Sequence, residues 1–264
     1  MRSVFVKALY DQRRSLLGWG IGLTLLVLLE SALWPSIGNM PDLQAFLANY
    51  PEAMRELFNL EDFGTGTGFL NAELFSAMVP VLFLTYAIGR GARAIAGEEE
   101  SGTLDVLLVT RVTTAGLLVE QAAALLAGLL ALGTVLYAAI LAGSALFGLE
   151  VGVLPPLSAT LATVLLAFEF GCLALAVGAI TGRRAVAIGV ASAAAVAAYL
   201  LYVAGELVTS VESWQPLSPF TQAMSGGPIG AGFQVAYLAM PAVAVVLVAA
   251  AMPLFARRDI AVAH

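Results

Sequence analysis

Six stretches of the chain are apolar for about twenty residues or longer, the length a helix needs to cross the hydrocarbon core of a bilayer. They fall at roughly 16–34, 70–89, 116–147, 157–180, 185–207 and 233–255. Each is rich in Leu, Ala and Val without strict alternation, which excludes an outer-membrane barrel. The third outruns a bilayer and is expected to tilt or to project into water. The apolar set makes up 60% of the residues and charged side chains only 11%, too few to coat a water-soluble fold. The expected fold is therefore an all-α integral membrane protein, a single transmembrane domain over 1–264.

Basic residues set the orientation. Arg2, Lys7, Arg13 and Arg14 precede the first run, Arg90, Arg93 and Arg111 lie between the second and third, Arg183 and Arg184 between the fourth and fifth, and Arg257 and Arg258 after the sixth. Of the 12 Lys and Arg, only Arg55 falls on the other side. The loaded side is expected to be cytoplasmic, with both termini there and the protein in the cell's inner membrane. The first run continues to Trp34 with no small-x-small site after it, unlike a cleaved signal peptide.

Scarce residues exclude whole chemistries. Cys172 is the sole cysteine and His264, the last residue, the sole histidine. No disulfide, cysteine metal site or histidine-based triad can be built from them. No catalytic, metal or cofactor site is expected in the chain. The net charge of −6 gives no reason to expect nucleic acid as a partner.

The segments between the runs read as helices too. Residues 1–15 pattern as an amphipathic helix, with Val4, Phe5, Ala8 and Leu9 on one side and Lys7, Asp11 and Arg14 on the other; it suits the headgroup layer or serves as a simple flank. The external segment 35–69 has an apolar helical spacing at Leu43, Phe46, Leu47 and Tyr50, and reaches the second run through Gly64, Gly66 and Gly68. The second external segment, 208–232, carries Trp214, Pro216, Pro219, Phe220, Gly226, Gly227 and Pro228, fitting re-entrant or surface helices.

The cytoplasmic segment 90–115 is the most informative. Glu98, Glu99 and Glu100 lead through Ser101 to a turn at Gly102, and Thr103 can cap a helix whose face carries Leu104, Leu107, Leu108 and Arg111. An apolar knob ringed by charge fits a partner's groove. Lying on the inner leaflet is the other use of such a helix, which the three carboxylates oppose because that surface is itself negative.

The run Ile95-Ala-Gly97-Glu98-Glu99-Glu100-Ser101-Gly102-Thr103-Leu104-Asp105-Val106-Leu107-Leu108 resembles the segment after the second span in ABC-2 type permeases, the membrane subunits of ATP-binding cassette exporters. The rest of the chain is similar in outline, and Leu217-Ser218-Pro219-Phe220 is a weaker echo. The resemblance implies a coupling helix seated on an ATPase subunit. It implies partnership with two ATP-binding subunits that hold ATP and Mg, and with a second permease subunit, like or unlike. Spans one and five would help form that contact, where Gly18, Gly22, Gly189 and Ala193 have the small-residue spacing of close helix pairs. The cargo expected is apolar or amphipathic, a drug or lipid, because the sequence shows no strongly charged lumenal cluster.

Acidic residues within apolar runs are functional candidates. Glu169 lies midway along the fourth run and Glu120 near the inner end of the third. Each is a candidate for substrate contact or gating, and for Glu169 a carboxyl bonded to a neighbouring helix is the structural alternative. A proton-coupled carrier using Glu169, or a non-transporting scaffold or sensor, are the rival functions.

Overall fold

The computed structural model describes residues 4–38, 40, 55, 62–102 and 113–258. Those residues are helical with no strand, and six of their helices are long and apolar enough to cross a membrane.

Helix α1, Val4–Ile37, is one unbroken rod of about 50 Å at 1.5 Å per residue. The amphipathic segment expected over 1–15 is helical in its described part, from Val4 on, but the boundary at residue 15 falls inside this rod. No Pro or Gly interrupts the chain there, and the buried stripe Val4, Ala8, Gln12 runs on in register to Gly20, Leu23, Val27 and Ser31. On the opposite side, Leu17, Ile21, Leu25, Leu29 and Leu33 are exposed at four-residue spacing. The small and polar residues Ala8, Gln12, Gly20 and Ser31 face inward with Val4, Leu23 and Val27, while the outer face is a row of large aliphatic side chains, as suits a helix whose outer solvent is lipid.

Helix α2 spans Gly66–Glu100 and changes pitch on the way. Two π-helical stretches, Asn71–Met78 and Arg93–Gly97, interrupt its α-helical geometry. α3, Thr114–Phe147, is capped by the Thr113 hydroxyl, which accepts from the Gly116 N–H, and ends at Gly148 with φ +68°. α4, Leu154–Thr181, starts on Pro155 and Pro156 and closes on Gly182 at φ +65°. α5 covers Arg184–Leu207. A 3₁₀ turn, Glu212–Leu217, leads into the short helix α6, Pro219–Met224. A second 3₁₀ turn, Val235–Leu238, opens the last span, whose α-helical part, α7, is Ala239–Ala256.

α4 is the hub: 78% of its most apolar stretch is buried, against 17% in α1. It packs on α2, α3, α5 and α7. Where α2 crosses α4, Gly91 lies against the carbonyl of Gly171, and a side-chain carbon on Gly171 would come within 2.7 Å of Leu125 and 3.1 Å of Ala87. Only glycine lets two backbones approach so closely. α1 and α3 run side by side in the same direction, with Gln12 donating to the Ala124 carbonyl (3.1 Å), Ser31 beside Gly143, and the Trp34 indole donating to the Gly148 carbonyl (3.2 Å). Tyr86 of α2 donates to the Gln12 side chain (3.0 Å), adding a third helix to this buried polar knot.

The bundle thus has two distinct ends. One, the charged end, gathers Lys7, the acidic close of α2, Arg184 and Arg258. The other, the loop end, holds the start of α2 and the α6 hairpin.

Candidate coupling and transport site

Successive residues on an α-helix point about 100° apart, so three consecutive glutamates cannot share one face. At the end of α2 each reaches a different helix. The Lys7 ammonium of α1 donates to Glu98 at 3.2 Å. Arg258, just past α7, pairs with Glu99. The backbone N–H of Arg184 in the first turn of α5 donates to Glu100 at 2.8 Å, where the dipole of the helix favours a carboxylate. Gly182 makes room for the second pair, since a side-chain carbon there would lie 2.5 Å from Arg258 and 2.8 Å from Glu99. The Lys7–Glu98 pair is open to solvent, whereas Arg258 and Glu99 are 17% and 13% exposed. The open pair contributes less than about 1 kcal/mol, whereas breaking the enclosed one would leave a charge with little water to replace its partner. The carboxylates expected to ring a docking helix thus also bind the molecule's own helices together.

Gly102, at φ +69°, ends α2, with its N–H on the Glu99 carbonyl (2.9 Å) and the Ser101 hydroxyl on that of Glu98 (3.1 Å). Thr103, Leu104, Leu107, Leu108 and Arg111, the coupling helix expected from the sequence, lie outside the described residues.

Glu120 and Glu169 are not brought together. Glu120 sits at the charged end, where its carboxylate accepts the backbone N–H of Phe5 at 2.7 Å and so caps the first turn of α1. This structural role accounts for an acid at that point, since orphan amides at a helix start need an acceptor. Glu169 is buried in α4, and its Oε2 has no hydrogen-bond partner among the described residues. Cys172 and Ala176, one and two turns on, belong to a core shared with Ala244, Val248 and Ala251 of α7. Leaving a buried oxygen unsatisfied costs about 1–3 kcal/mol, and no contact among the described residues accounts for an acid at Glu169 as the Phe5 amide does at Glu120.

The small residues expected at a dimer contact lie on open faces. Side-chain carbons placed at Gly18, Gly22 or Gly189 would meet nothing within 4 Å, and Ala193 is exposed. Gly18 and Gly22 line an open groove with Trp19, Leu26 and Leu82.

Two further features were not legible in the sequence. Between α2 and α5 runs an apolar groove of about 230 Å³, lined by Ser76, Ala77, Pro80, Val81 and Leu84 on one side and Ala195, Val196 and Tyr199 on the other. Phe220 of α6 closes its upper rim, packed 5.3 Å from the Tyr199 ring and 6.2 Å from that of Phe170. Phe170 sits near the middle of α4, so the α6 hairpin dips well into the bundle. At the loop end a polar vestibule of about 570 Å³ is bounded by Asp62, Thr65, Thr67, Asn71, Glu206 and the glycine-rich turn 226–230, with Arg55. The signal that could have pointed here is Asn71 itself, an amide placed one residue inside an apolar run.

Neither a curated protein nor a solved structure matches the chain. A family model does, over nearly the whole length: residues 1–256 match the one described as "Multidrug efflux system permease Rv1217c, C-terminal domain", and the chain, with its six bilayer-length helices, belongs to that family.

Proposed function

We propose that the chain is the membrane-spanning subunit of an ATP-driven exporter of the ABC-2 type. The observation that carries this reading is the fan of Glu98, Glu99 and Glu100 onto α1, the end of α7 and α5. A push on residues 103–111, immediately beyond that fan, reaches three helices through one point. ATP and Mg belong to two partner subunits seated on the segment around Leu104, Leu107 and Leu108. The charged end is then cytoplasmic, in line with the distribution of Lys and Arg. A second permease subunit covers the open faces of α1 and α5. The cargo is apolar or amphipathic, drug or lipid, because the groove between α2 and α5 is lined almost wholly by carbon.

Truncating Leu104, Leu107 and Leu108 to Ala tests the assignment in vesicles containing the chain and its ATPase. Hydrolysis should become independent of cargo and export should stop, with membrane insertion unchanged. Full export by the triple variant would refute it. A proton-coupled carrier is favoured by one observation, the unpartnered oxygen of Glu169; export driven by a pH gradient without any ATPase would select that reading instead.

A further inference from the structure

The apolar groove and the polar vestibule follow one another along the same two helices. On α2 the vestibule is lined up to Asn71 and the groove from Ser76; on α5 the vestibule touches Glu206 and the groove begins at Tyr199. Five to seven helical residues separate them, about 8–10 Å.

On the vestibule side of that gap lies a clasp between α2 and the hairpin. Asn71, buried at 7% exposure, donates from Nδ2 to the Ile229 carbonyl at 2.8 Å and accepts the Ile229 N–H on Oδ1 at 2.8 Å. A side-chain amide is the group that answers both halves of a peptide unit at once. The hairpin's other anchor is Ser218, whose hydroxyl donates to the Ala198 carbonyl of α5 at 2.7 Å. α6, with Phe220, is thus slung between α5 and α2. Around Ile229 the chain holds Gly226, Gly227, Gly230 and Gly232 at φ +75°, +76°, +126° and +71°, a turn that only glycine forms without strain, and its other side-chain bonds, from Gln234 to the Ser225 carbonyl (3.0 Å) and from Tyr237 to that of Gly232 (3.2 Å), stay within the same segment. Asn71 also opens the upper π-helical stretch of α2, so a change of pitch in that helix acts on the tether directly.

We infer that the Asn71–Ile229 clasp is the latch of an exit gate, holding Phe220 across the path from the apolar groove to the polar vestibule. Its release lets an amphipathic cargo leave the groove into water at the loop end. This rests on the permease reading above.

Two experiments test it. In a Cys172→Ala background, Ser76→Cys places a thiol in the groove, to be probed with a membrane-impermeant maleimide. Asn71→Leu keeps the branched shape and removes both hydrogen bonds. It should speed labelling by about tenfold or more, since the loss of one hydrogen bond of ordinary net strength already shifts opening by about that factor; equal rates would overturn the latch. The second experiment needs no comparison between differently folded variants. Asn71→Cys with Ile229→Cys is bridged by a short bis-methanethiosulfonate, and export of the dye rhodamine 6G is followed in vesicles with the ATPase partner. Bridging should stop export and reduction restore it in the same molecules. Export that continues while bridged overturns the latch and leaves the permease standing. Failure of the unsubstituted chain to export with its partner overturns the permease reading, while the labelling rates still judge the latch.

Discussion

At the scale of single residues, the end of α2 shows why identical neighbours can have different fates. Glu98, Glu99 and Glu100 differ only in azimuth, yet each meets a partner on another helix, 91, 159 and 84 residues away in the chain. Those separations are why the pairing could not be read from the sequence, where the triplet is simply a charged rim. The Glu99–Arg258 pair is the enclosed one, and removing either partner leaves the other charge with little water to replace it. Glu99→Arg alone should lower the thermal midpoint of the detergent-solubilised protein and abolish export. Adding Arg258→Glu should restore most of both, because the reversed pair fits the same space beside Gly182. Fluorescence-detected thermal unfolding and dye export check the two effects; an exchange that rescues nothing would show that position, not pairing, matters there.

At the scale of elements, the apolar runs located most of the bundle because bilayer thickness imposes a length that composition can match. α5, for example, occupies Arg184–Leu207 where the run spans 185–207. What the runs could not show is pitch. The π-helical stretches of α2 carry no periodicity signature of their own, since apolar residues surround the helix on nearly every side. The hairpin was legible as turns and aromatics, yet the dip of α6 depends on Phe220 finding Phe170 and Tyr199, a tertiary fact. A π-helical stretch behaves as one residue more than the α-helix needs, often at functional sites. The lower stretch, Arg93–Gly97, stands directly before the acidic triplet. Deleting Ala94 should return it to α geometry with Glu98–Glu100 in their present register. Such a variant should insert normally and bind the ATPase proposed above, while export falls because the joint can no longer alter pitch. Quantifying co-purified ATPase beside dye export separates those results; undiminished export would show that the pitch change is passive.

At the scale of the whole molecule, glycine separates what the fold needs from what it leaves open. Inside the bundle, a methyl on Gly91 runs into the backbone carbonyl of Gly171, and backbone cannot step aside as a flexible side chain would. Gly91→Ala should therefore cost at least about 2 kcal/mol, as overpacking does, and lower the yield of folded protein. On the outer face of α1 the same methyl at Gly18 meets nothing within 4 Å. Gly18→Ala should be neutral or stabilise the subunit by up to about 1 kcal/mol through helix propensity. If the open faces of α1 and α5 receive a second subunit, bulk decides the outcome there. Gly18→Leu with Gly22→Leu should leave the single subunit's thermal midpoint intact and convert dimers to monomers, read by photobleaching steps in lipid nanodiscs. The leucines would then join Leu17, Ile21 and Leu25, which already face outward, and the whole outer face of the helix would meet lipid. Dimers that survive both leucines would move the contact to another face of the bundle, leaving the Gly18–Gly22 groove to lipid chains.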